Sequence, residues 1–156
     1  MTSQVEQLVE RLQLSPHPEG GWFRRTWTAP VEHDDTGSGA RGVGGPGRRA
    51  MGSSILYLLP VDSASQWHRI DAHELWTHAA GAAVRLETWH EGGSRRGRHT
   101  LGHDVLAGDE PQVVVAPGAW QRARSRGEWS LVVCAVVPEF RDAGFELAAP
   151  DWHPPA

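Results

Sequence analysis

The 156-residue chain has no lysine; all fifteen of its basic side chains are arginine. That excludes a lysine Schiff base and a lysine nucleophile. Cysteine is nearly absent too. Cys134 stands alone, so no disulfide can close within the chain, a usage expected of a cytoplasmic protein. It lies in the apolar run 131–137, where a small buried hydrophobe is expected rather than a nucleophile. Positive charge is in deficit: the net charge is -4, which leaves no overall basic surface for a nucleic acid. No apolar run approaches the roughly 20 residues of a membrane-spanning helix, so no membrane partner is expected. No charged-then-apolar leader opens the chain, and export by a signal peptide is not expected. The length suits one domain over residues 1–156.

Helical periodicity is scarce as well. Only Val5, Leu8, Val9 and Leu12 fall on one helical face. Ser3 and Glu6 form a capping box at its start, and Ser15-Pro16 is expected to stop it. The rest reads as short strands between turn residues: Trp22–Thr28, 54–59, 66–70, 74–79, 83–89, 98–101, 112–116, 120–124, Trp129–Val137 and 145–148. Segment 131–137 is apolar on both faces and should be a central strand. Segment 83–89 alternates, with Val84, Leu86 and Thr88 against Arg85 and Glu87, and should have one wet face. Residues 34–49 hold six glycines and almost no apolar side chain, so a flexible loop is expected there. A phosphate loop would need a strand–glycine–helix setting and a lysine, and both are missing.

What is abundant is histidine and tryptophan, and they concentrate in residues 67–81. That stretch contains His68, His73, His78, Glu74, Trp67 and Trp76 and ends at Gly81. Such side chains can bind a divalent metal or exchange protons with a substrate. Strand alternation puts Glu74, Trp76 and His78 on one face, and His68 and Ile70 on one face of the strand before. Residues 71–73 then connect the two. Inward polar groups need partners or water, and a ligand cavity would meet that need. Trp76 is expected as a cavity wall; the other tryptophans are expected to pack the core. Tyr57, the single tyrosine, can pack in the core or donate a proton inside a barrel. Arg25 and Arg69 alternate with apolar neighbours and are candidates to anchor an anionic substrate. His17, His33, His90, His99, His103 and His153 read as surface or loop histidines.

Residues 67–81 resemble the first motif of the cupin superfamily, in which two histidines and a glutamate precede a glycine. Residues 108–121, Gly108-Asp109-Glu110-Pro111 through Trp120-Gln121, resemble the second motif. The similarity extends to a largely uncharacterised branch of that superfamily, whose patterns resemble His17-Pro18-Glu19-Gly20-Gly21-Trp22-Phe23, Ser53-Ser54-Ile55-Leu56-Tyr57-Leu58-Leu59, Trp67-His68-Arg69, Pro111-Gln112 and Phe145-Glu146-Leu147. The resemblance implies an all-β fold, a cupin-type jelly-roll barrel (double-stranded β-helix), to which the periodicity of residues 5–12 adds a short N-terminal helix. It also implies a small-molecule ligand inside the barrel and a homodimer.

The motif positions depart from the usual ligands. With His68 as first histidine, the second position is Ile70; slid by one, the two become Trp67 and Arg69. The closing histidine of the second motif is replaced by Gln121, whose amide is a weaker transition-metal ligand. A full site of three histidines and one glutamate is therefore not expected, and a divalent metal would rest on His68, Glu74 and His78. The leading expectation is metal-independent or weakly metal-dependent acid–base chemistry of the isomerase or epimerase kind on a small polar metabolite. His68 or His78 would be the base, Glu74 would orient it and Tyr57 would be the acid, with Trp76, Gln121, Arg25 and Arg69 as substrate contacts. The alternatives are a non-catalytic metabolite-binding module and a metal-dependent oxygenase or isomerase.

Overall fold

In the computed structural model, the described residues are 2–30, 49–93 and 96–155. Apart from Arg49, the glycine-rich segment 34–49 lies outside them. Helix α1 spans Gln4–Leu12, and its start is built as the sequence reads. The Ser3 hydroxyl accepts the Glu6 N–H at 3.2 Å, and the Glu6 carboxylate accepts the Ser3 N–H at 2.7 Å. The helix stops before Ser15-Pro16. Gln13 takes a left-handed conformation, φ 54°, and its N–H turns back to the Val9 and Glu10 carbonyls.

Eleven strands are described: β1 (Ser15–Pro16), β2 (Trp22–Thr28), β3 (Ser53–Pro60), β4 (His68–Ile70), β5 (His73–Gly81), β6 (Val84–Trp89), β7 (Gly97–Leu101), β8 (Gln112–Val115), β9 (Trp120–Ser125), β10 (Trp129–Val137) and β11 (Phe145–Leu147). They form two antiparallel sheets, one ordered β1-β2-β3-β10-β5-β8 and the other β11-β4-β9-β6-β7. From β3 onward the chain changes sheet at almost every connection, which is how a jelly roll is wound.

Strand β10 lies between β3 and β5, so its double-sided apolar pattern follows from its central place. Its inward residues Ser130, Val132, Cys134 and Val136 are buried. Val84 and Leu86 of β6 are fully buried, whereas Arg85 faces water. With Leu59, Leu101, Ala123 and Trp76 they fill one part of the space between the sheets. Each large apolar side chain so buried contributes about 1.5–3 kcal/mol. The other part, toward β2, β4 and the start of β5, is not filled, and the candidate site lies there.

Candidate functional site

The unfilled part is a cavity of about 580 Å³. Phe23, Ile55, Ile70, Val136, Phe140 and Phe145 make apolar walls, and Arg25, Arg141 and Asp142 also line it. The polar lining is His17, Glu19, Tyr57, His68 and Glu74. Glu19, Tyr57, His68 and Glu74 are all buried, so they form its deep end.

His68 enters from β4, where it pairs with Gln121 of β9 and Leu147 of β11. Its Nδ1 lies 2.8 Å from the Gln66 carbonyl oxygen and 3.1 Å from Glu19 Oε2. A carbonyl only accepts, so Nδ1 carries the proton and Nε2 is left with its lone pair. No hydrogen bond to Nε2 is made among the described residues. Burial lowers the His68 pKa, against the pull of Glu74 and the Gln66 carbonyl, so the ring is neutral at pH 7.

Two carboxyl groups flank this ring. Burial pushes Glu19 up to about 8, against the hydroxyls of Tyr57 and Ser65. Burial also raises Glu74, to about 7; His68 opposes the rise and Glu19 adds to it. The two therefore change protonation near neutral pH, where a proton can be both taken and given. His17 lies beside them, its ring edge-on to Phe23 at 4.6 Å and 5.2 Å from Tyr57. Its Nδ1 accepts the Glu19 backbone N–H at 3.2 Å, and burial, with His68 adding, lowers its pKa to about 4.

Glu19 and His17 line the cavity although the sequence pattern does not mark them; His17 reads there as a surface or loop histidine. They reach the cavity because the chain between β1 and β2 folds back over it. The Gln66 N–H holds the Glu19 carbonyl at 2.9 Å, and the Gly21 N–H donates to Ser63 Oγ at 2.7 Å. Gly20 and Gly21 have φ of 112° and 73°, and a Cβ on either would come within 2.6 Å of a backbone oxygen. Only glycine allows that close turn. The signal was the segment His17–Phe23 itself, which carries an acid and a histidine beside two glycines.

The remaining candidates divide. Glu74 is held by a buried relay: the Trp76 indole N–H donates to Gln121 Oε1 at 2.8 Å, and the Gln121 amide donates to Glu74 Oε2 at 2.5 Å. Trp76 and Gln121 are both fully buried, so they stand behind Glu74 rather than in the cavity lining. Tyr57 lines the cavity, but its hydroxyl donates to the Gly20 carbonyl at 2.7 Å. Burial, with Glu19 adding, puts its pKa well above the ordinary value, so it holds the Gly20 turn better than it could act as an acid. His78 pairs across β10 with Val132, on the face that carries Glu74 and Trp76. Four residues along the strand, roughly 13 Å, separate it from Glu74. There it contacts the Ala82 carbonyl at 3.1 Å and stacks on His103 at 5.6 Å, outside the cavity. Arg69 faces away too, paired with Glu146 at 2.7 Å and Glu91 at 3.0 Å, over Trp120. Arg25 does line the cavity.

The residues present do not fit the metal set of the cupin motifs. Ile70 has no donor atom, and the Gln121 oxygen already accepts the Trp76 indole N–H. His68, Glu74 and His78 are not brought together. Among the described residues no group of three His, Cys, Asp or Glu side chains is arranged to hold a metal ion.

No helix of the described residues is long and apolar enough to cross a membrane. Among curated proteins none matches the sequence. Solved structures do. A hypothetical protein from Leishmania major is 26% identical, with a TM-score of 0.78 over 92% of this chain and 86% of that one. A protein from Shewanella oneidensis is 29% identical, with a TM-score of 0.79 over 96% and 86%. Oxalate decarboxylase from Bacillus subtilis shares the fold at 12% identity and a TM-score of 0.61. This chain, with 85% of its length aligned, spans 29% of that enzyme. The family model described as "Cupin superfamily (DUF985)" matches residues 6–148, and the chain belongs to that family.

Proposed function

We propose that this protein is an enzyme that moves protons on a small polar metabolite without a metal, as an isomerase or epimerase does. One observation carries the reading: two buried carboxyls, Glu19 and Glu74, flank a neutral histidine at the deep end of an open cavity that Phe23, Ile55, Ile70, Phe140 and Phe145 also line. In this reading Glu74 is the base. It takes a proton from the carbon beside a carbonyl, and the bond's electrons pass to the carbonyl oxygen. Glu19, neutral at pH 7, returns a proton, and His68 accepts a substrate hydroxyl at Nε2. The Trp76–Gln121 relay keeps Glu74 turned toward the cavity.

Solvent deuterium tests this without knowing the substrate. The chelator-treated protein is incubated with a pool of polar metabolites in heavy water, and mass spectrometry follows their masses. A metabolite that gains one mass unit with wild-type protein, and does so ~10²–10⁴-fold more slowly with Glu74→Gln, is the expected result. No enzyme-dependent exchange at all would leave a non-catalytic binding module. Exchange that requires an added divalent cation would make the protein a metal-dependent cupin.

A further inference from the structure

We propose that the cavity binds an organic acid, its carboxylate held by Arg25 at the mouth and an oxygen function at its other end reaching His68 and Glu74. The inference rests on the cavity being the ligand site proposed above, though not on its being catalytic.

The argument begins with two adjacent arginines on β2. Arg24 points to the outer face and is committed, its Nε donating to the Leu12 carbonyl at 2.7 Å at the end of α1. Arg25 alternates to the inner face with Phe23, and both line the cavity. Among the described residues Arg25 has no acceptor and no carboxylate partner. Arg141, which also lines the cavity, donates from Nε to Glu139 at 3.4 Å and is followed by Asp142. Arg25 is therefore the cation at this cavity whose fork is open to a ligand. A guanidinium binds a carboxylate through two parallel N–H bonds, a match that an amide or hydroxyl ligand cannot reproduce.

The two ends of the cavity then impose a direction. The deep end holds two carboxyl groups and a neutral imidazole, so a second anionic group is unwelcome there, whereas a hydroxyl or carbonyl oxygen can be hydrogen-bonded. The lining also includes Phe23, Ile55, Phe140 and Phe145, apolar side chains that neither compete for the carboxylate nor neutralise Arg25. Arg25 pairs with Ile55, Ile55 with Cys134 and Cys134 with Trp76, two residues from Glu74. Three strand spacings across the sheet, roughly 14 Å, and two residues along it, roughly 7 Å, thus lie between the two backbones, and both side chains take up part of that length. What remains suits a short chain or a single ring with a carboxylate at one end and an oxygen at the other.

Matched acid and amide probes read the carboxylate directly. 4-Hydroxyphenylacetate with 4-hydroxyphenylacetamide, and 4-oxopentanoate with 4-oxopentanamide, are titrated into the full-length protein by ligand-observed NMR and calorimetry. The expected result is that at least one acid binds and its amide binds weaker by about tenfold or more. Arg25→Gln should bring the acid to the level of the amide, and Arg25→Lys should restore part of the difference. Arg25 is exposed, so these changes leave the fold intact; an unchanged melting temperature confirms it. Glu74→Gln should keep the acid's advantage. Failure of both acids to bind, equal binding of acid and amide, or an advantage that survives Arg25→Gln would each overturn the inference. Deuterium exchange without an acid preference would refute this inference and leave the catalytic reading standing. An acid preference without exchange would do the reverse.

Discussion

The two parts of the space between the sheets share strands β3, β5 and β10 and end differently. In one, Leu59, Val84, Leu86, Leu101, Ala123 and Val132 meet with no exposure above 0%. In the other, Phe23, Ile55, Ile70, Phe140 and Phe145 line a cavity instead of closing it. The boundary between them runs through single strands. On β5, Glu74 faces the cavity while Trp76, two residues on, is sealed in the core. On β3, Tyr57 and Leu59 divide in the same way. The strand frame alone therefore does not decide where a pocket forms. The chain between β1 and β2 contributes as well, by bringing Glu19 to the deep end.

If one part is packed and the other is a site, truncations should cost differently. Leu86→Ala removes a fully buried side chain from a close-packed setting and should cost about 2–5 kcal/mol in denaturant unfolding. Phe140→Ala removes a ring that already borders the cavity and should cost about 1–2 kcal/mol. Equal costs would mean that the cavity is closed in solution and the contrast is lost.

A separate change tests the boundary itself. Gln121→Leu fills similar space but strips both partners from the relay, leaving the Trp76 indole N–H and the Glu74 carboxyl without their hydrogen bonds. Each orphaned group costs about 1–3 kcal/mol. Losing the amide donor also favours the protonated form of Glu74, so its pKa should rise further. Unfolding and a carboxyl titration followed by NMR would show both changes. A variant as stable as wild type, with Glu74 unmoved, would show that the relay does not hold it.

The frame was more legible than the site, for physical reasons. Period-two alternation and turn residues are local, so strands such as Trp22–Thr28 and Trp129–Val137 are found at their sequence-read bounds. The apolar run 131–137 also marked the centre of its sheet. Sharing a face is local as well, but distance along a strand is what separates His78 from Glu74. Trp76, read as a cavity wall, is instead the side chain that stands between them. Gln121 was legible as a missing histidine, though its service to Glu74 depends on an indole from another strand. Glu19 was hidden because a loop places it, through Gly20, Gly21 and hydrogen bonds to Gln66 and Ser63 far along the chain. No periodicity encodes that. Arg25 and Arg69 look alike in sequence, but only the carboxylates of Glu91 and Glu146 around Arg69 tell them apart.

The smallest expected effect is also the most specific to the deep end, because its sign depends on pH. Glu19 and Glu74 have folded pKa values of about 8 and 7, raised from 4.5. The folded protein thus holds their protons more tightly than the unfolded chain and loses stability as pH rises from 4.5 toward 8. His17, lowered from 6.5 to about 4, and His68, lowered from 6.5, act in the opposite sense and cost stability as pH falls below 6.5. Between 4.5 and 6.5 the two pairs oppose one another. Above 6.5 the unfolded histidines lose most of their remaining protons, so of these four groups the carboxyls increasingly dominate. The melting temperature should therefore fall between pH 6.5 and 8, and each 1 kcal/mol lost should appear as about 2–4 °C. Glu19→Gln cannot ionise and should flatten that fall, while Leu86→Ala should lower the whole curve without changing its slope. Parallel curves for wild type and Glu19→Gln would mean that Glu19 is already ionised in the folded protein, and the deep end would then hold a fixed negative charge instead of a proton donor.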